Sequence, residues 1–167
     1  MRKLKVIVLV IYLFLLSGCS SQHLRKSISN EIGIHLPKKI EISSYDAHSG
    51  FNGDGTTFTM IKFKEKDIEK VRTNIKENDN WNELPLTENL QLIMYGGTKN
   101  NVEYMYHLAK EVGMPIVHNG YWIFIDRFDN LNTLNDDSKL FDRHSFNFTI
   151  AIYDTDTDIL YYCKNDT

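Results

Sequence analysis

Asp46, His48 and Asp54 surround a glycine-rich run, His48-Ser49-Gly50-Phe51-Asn52-Gly53-Asp54-Gly55, and form the one locally assembled set of histidine and carboxylates in the chain. An imidazole beside a carboxylate is the pairing a general base needs, because the carboxylate fixes the ring tautomer and favours the proton. That chemistry also needs a cleft and a substrate, and polar residues in a loop require no catalytic explanation. Glycines in the segment from Gly50 to Thr56 would let backbone amides approach an anion closely. The run lacks the lysine and following helix of a phosphate-binding loop, so it reads first as a turn. Asp46, His48 and Asp54 are therefore the candidate ligand or partner loop, expected to be solvated turn residues, and no residue is assigned a catalytic role.

Other chemically capable residues fit their templates less well. Asp154, Asp156 and Asp158 have the spacing of the first ligands of a calcium-binding helix–loop–helix, but the sixth position is Ile159 where glycine is needed and the twelfth is Asn165 where a bidentate glutamate is needed. The remaining histidines, His23, His35, His107, His118 and His144, include no paired metal-ligand spacing. No metal and no cofactor are expected. Cys163 alternates with Tyr161 and Ile159 and reads as a buried, hydrophobe-like thiol. The tyrosines at 153, 161 and 162 cluster at the C-terminal end, where they read mostly as core, with the outward face of that hairpin as the best partner surface.

At the N-terminus, basic Arg2, Lys3 and Lys5 precede 11 apolar residues from Val6 to Leu16, followed by Ser17, Gly18 and Cys19. The layout is that of a signal peptide. The apolar run is too short for a spanning helix, which needs about 20 residues. Leu16-Ser17-Gly18-Cys19 resembles a bacterial lipobox. The resemblance implies cleavage before Cys19 and a diacylglycerol on its sulfur, and two acyl chains give a stable membrane anchor where one does not. Residues 1–18 are then the signal peptide, 19–23 the lipidated cysteine and a short tether of about 14 Å, and 24–167 one globular domain.

Cleavage removes 18 of the 167 residues and three of the 19 basic ones, leaving 149 residues with 16 Lys and Arg against 22 Asp and Glu, a formal charge of −6. Such a chain is large enough for one core. It has no basic patch, so nucleic acid is not an expected partner. With Cys19 acylated, Cys163 has no intrachain partner, and the fold must stand without a disulfide.

The elements that must position these residues follow from periodicity. Leu24, Ile28 and Ile32 predict a first helix, and Lys39–Tyr45 with Thr57–Phe63 predict two strands joined by the glycine-rich loop. Ile68, Val71 and Ile75 predict the best amphipathic helix in the chain. Trp81, Leu84 and Leu86 are core candidates, and Thr87 is a cap for a helix through Leu90, Ile93 and Met94. Val102, Met105, Leu108 and Val112 predict a further helix, and Asn119-Gly120 predicts a hairpin between Met114–His118 and Tyr121–Ile125. Tyr121–Ile125 is apolar on both faces, as in a strand covered on both sides. Arg127–His144 reads as a long surface loop, Phe146–Tyr153 as a half-buried strand, and Ile159–Cys163 as its hairpin partner. The class is α+β, a mostly antiparallel sheet of about six strands with three or four short helices.

Beyond the lipobox, the segments His48–Gly55, Trp81–Leu86, Asn119–Trp122 and Phe146–Tyr162 resemble the small uncharacterised membrane lipoproteins of Gram-positive bacteria. The resemblance implies a cell-membrane location at the extracytoplasmic face, anchored through Cys19, and implies no activity. The function expected is a binding or interaction module with an envelope protein partner, protection against a secreted toxin being one version. The alternative is a small envelope hydrolase that uses the glycine-rich loop.

Overall fold

The computed structural model describes residues 21–48, 53–128 and 133–167. The leader, Cys19 and part of the glycine-rich loop, Gly50 included, lie outside them. The elements in chain order are a helix α1 at 21–31, β1 (Glu41–Asp46), β2 (Gly55–Lys62), α2 (Glu65–Lys76), β3 (Asn82–Glu83), α3 (Glu88–Tyr95), β4 (Gly97–Lys99), β5 (Val102–Tyr104), α4 (Leu108–Glu111), β6 (Gly120–Asp126), β7 (Thr133–Leu134), β8 (Phe148–Asp154) and β9 (Ile159–Asp166). The strands form an antiparallel sheet in the order β1-β2-β9-β8-β6-β3, with β7 also on β6, while β4 and β5 pair separately. The architecture is α+β.

Strand alternation divides the core into two halves. One face of the sheet sends Phe58, Phe124, Phe148, Ile150 and Cys163 against α3, α4 and Leu140. The other sends Ile61, Ile123, Ala151, Tyr153 and Leu160 against α1 and α2, with Ile28, Ile32, Val71 and Ile75 facing them. Each such aliphatic side chain, fully removed from water, contributes on the order of 2 kcal/mol. α2 follows the 3.6-residue pattern and carries Glu65 and Asp67 in its first turn, where the helix dipole favours negative charge. Thr87 caps α3 by accepting from the Leu90 amide at 3.3 Å.

β8 is buried at every position, not on one face only, because helices cover both sides of the sheet where it lies. The same geometry removes the outward tyrosine surface expected at the last hairpin: Tyr153, Tyr161 and Tyr162 are all buried. The helix expected from Val102 to Val112 shortens to α4, and Val102 sits in a hairpin whose two-residue turn, Asn100-Asn101, has φ of 52° and 62°. Positive φ at both central positions is the type I′ geometry that matches strand twist. Asn119-Gly120 is not a hairpin turn. Gly120 is the first residue of β6, and a Cβ there would lie 1.8 Å from the Tyr153 carbonyl oxygen, so the glycine serves a close backbone approach to β8. In the expected 127–144 loop, β7 pairs with β6 and Leu140 is fully buried.

Candidate functional site

Antiparallel register brings Asp46 at the end of β1, Gly55 at the start of β2 and Asp166 at the end of β9 to one end of the sheet. There the chain folds back after Asp46: the Ala47 amide donates to Thr56 O at 3.0 Å, and the His48 amide donates to Asp46 Oδ1 at 3.1 Å. Gly55 permits this with φ +156°, since a Cβ on it would lie 2.4 Å from His48 Cα. The ring of His48 then stands between two carboxylates. Nδ1 is 2.5 Å from Asp46 Oδ1 and Nε2 is 3.2 Å from Asp166 Oδ2.

The chain of polar groups continues inward. Arg127, just past β6, pairs its guanidinium with Asp166 Oδ1 at 2.7 Å and donates to the carbonyls of Phe148 and Asn165 at 3.1 and 3.0 Å. Its Nε donates to Thr149 Oγ1 at 3.2 Å, and that buried hydroxyl donates to Glu31 Oε1 of α1 at 2.6 Å. Tyr162 completes the path by donating to Glu31 Oε2 at 2.7 Å. The network thus ties β1, β9, β6, β8 and α1 together. Beside it runs an open groove of about 690 Å³ between α1 and the strands, lined by His23, Ser27 and Glu31 on one side and Asp46, Thr57 and Lys164 on the other.

The electrostatics follow from these contacts. The hydrogen bond to Asp46 raises the His48 pKa above its ordinary value, partial burial opposes it, and Asp166 adds to the rise. Asp46 is held below the usual carboxylate range, first by the His48 amide and then by its ring. Burial pushes Asp166 up, but Arg127 and His48 outweigh it and its pKa is lowered. Burial beside the Glu31 carboxylate raises the Tyr162 phenol and keeps it protonated. A carboxylate only accepts, so the imidazolium, with a donor on each nitrogen, is the form that satisfies both neighbours. The charges alternate from Asp46 through His48 and Asp166 to Arg127.

Such an arrangement is a clasp. Both ring nitrogens of His48 are engaged by carboxylates, leaving neither turned to a substrate proton. Of the three residues picked from the sequence, Asp46 and His48 come together, and Asp54 makes no hydrogen bond or ion pair among the described residues. His48 is not a free turn residue, because it holds the loop to the C-terminal strand. Sequence reasoning missed Asp166, Arg127, Thr149, Glu31 and Tyr162. One signal was available: Tyr162, Lys164 and Asp166 continue the β9 alternation, so extending that strand to its observed end would have aligned Asp166 with the start of β2.

The other candidates resolve as structural. Asp154 Oδ1 accepts from the Asp156 and Thr157 amides and Oδ2 from the Thr157 hydroxyl, while Asp158 pairs with Arg72 at 2.7 Å. These carboxylates shape the β8–β9 turn. Cys163 is 1 % exposed and burial pushes its thiol up to about 12, far from the thiolate a nucleophile requires. Among the described residues no helix is long and apolar enough to cross a membrane. Neither the family models, nor the curated proteins, nor the solved structures with which the chain was compared match it.

Proposed function

We propose that this chain is a lipoprotein anchored at the extracytoplasmic face of the cell membrane through Cys19, whose mature domain is a binding or interaction module for an envelope protein partner. A secreted toxin bound close to the membrane is one such partner. The observation that carries the reading is the join between anchor and domain. The chain is already helical at residue 21, two residues after Cys19, so consecutive Cα spacing limits the reach from Cys19 to α1 to about 7.6 Å. That is shorter than the tether of about 14 Å expected from Ser20–His23, and it suits a domain that works at the lipid surface. The engagement of both His48 nitrogens favours a binding role over the hydrolase, which would need one of them free.

Replacing Cys19 with alanine tests this. The variant should lose metabolic acyl labelling and leave the membrane fraction or keep its leader, and the wild-type chain should cross-link to an envelope protein on intact cells. Unchanged acyl labelling in the variant would sink the proposal. A His48→Gln variant should keep the cross-link, since the ring acts within the fold.

A further inference from the structure

We infer that the end of the sheet bearing the His48 clasp is the membrane-facing end of the molecule, with Tyr45, Met105 and Tyr106 seated in the lipid headgroup layer; this rests on the proposed anchor at Cys19. Three observations converge on it. First, the described N-terminal turns of α1 lie there: His23 and Ser27 line a groove with Asp46, the last residue of β1, Thr57, the third of β2, and Lys164, the third from the end of β9. A lipid on Cys19, held to within about 7.6 Å of residue 21, must enter the bilayer close to this end.

Second, exposed apolar side chains gather there. Met105 is 79 % exposed, Tyr45 61 % and Tyr106 38 %. Tyr45 is the penultimate residue of β1. The Tyr106 ring meets Phe146 edge to face, with centroids 5.4 Å apart; the Phe146 amide donates to Thr167 and its carbonyl accepts from Asn165, so Tyr106 and its neighbour Met105 sit beside the C-terminal end of β9. Leu134, 41 % exposed, pairs with Ile125 near the same end of β6. Tyrosine suits the headgroup layer because its ring is apolar and its hydroxyl remains hydrated.

Third, three of the carboxylates at this end, Asp46, Asp126 and Asp166, carry their own counter-charges. Asp46 and Asp166 hold His48, Asp166 also holds Arg127, and Asp126 holds Arg143 at 2.6 Å. Pairing of these three acids lowers the repulsion that anionic headgroups would exert on them.

The test uses the full, acylated chain reconstituted in vesicles of phosphatidylglycerol and phosphatidylcholine, with a nitroxide on Met105→Cys or on Lys66→Cys. Lys66 is exposed at the start of α2, which leaves β2 at the opposite end. Cys163 is buried and protonated, so labelling is selective for the new thiol. Relaxation by oxygen, which concentrates in the bilayer, is compared with relaxation by a water-soluble nickel complex. The oxygen-to-nickel ratio should be several-fold higher at 105 than at 66. Equal ratios in protein whose mass shows an acylated Cys19 would overturn the orientation and leave the anchor standing. A Cys19 without acyl chains would remove the anchor and this inference together.

Discussion

His48, placed between Asp46 and Asp166, is worth more to the folded chain as an imidazolium than to the unfolded one. Its stabilisation is complete below the unfolded value of about 6.5 and is lost as pH rises through the higher folded value. Asp46 and Asp166 are held low, so their share is present above the ordinary carboxylate pKa and disappears only as pH falls through the folded values. Melting temperature measured from pH about 6 to about 9 should therefore decline for the wild-type chain and much less for His48→Gln; matching profiles would show that the clasp contributes nothing. Glycine substitutions separate two kinds of strain. Gly53→Ala, with φ +72° and no atom near the added Cβ, should cost about 1 kcal/mol, whereas Gly120→Ala, driven into the Tyr153 carbonyl, should cost about 3 kcal/mol or more in denaturant unfolding. Asp46 and His48 were legible in the sequence because they are neighbours. Asp166 and Arg127 were not, since they arrive through strand register, and a register is set by packing along whole strands.

The helices and strands that carry a strong period read correctly, and the exceptions have local causes. α1 and α2 present Ile28, Ile32, Val71 and Ile75 at helical spacing and bury all four. Replacing Ile28 or Ile32 by alanine should cost about 2 to 4 kcal/mol, because the sheet beneath is a continuous layer that cannot close the gap. Thr87→Ala should cost about 1 kcal/mol through the α3 cap alone; no loss in either series would mean these helices are held by something other than the contacts described. The helix misread over 102–112 mistook four apolar residues for a stripe, although Val102 and Met105 point to solvent. Asn100-Asn101 was the legible counter-signal, two residues that tolerate positive φ between short strands. Asn119-Gly120 misled in the opposite way, since a glycine required for close strand approach has the same letter as one required for a turn.

At the scale of the molecule, two cores share one sheet, and its central strands β8 and β9 contribute side chains to both. Loss of either face exposes the other, so unfolding of the domain should be a single cooperative transition. With Cys163 buried as a free thiol and Cys19 proposed as the acylation site, that transition should be indifferent to reductant, and a marked drop in melting temperature on reduction would reveal a disulfide bridge. The short join to α1, the apolar end of the sheet and the paired charges beside it bear on function through the anchor proposed at Cys19. The most direct measurement is the intact mass of the chain extracted from membranes of cells that express it. Loss of residues 1–18 and an added diacylglyceryl group that maps to Cys19 are expected. A chain that keeps its leader, or one cleaved elsewhere with an unmodified Cys19, would contradict the proposed anchor.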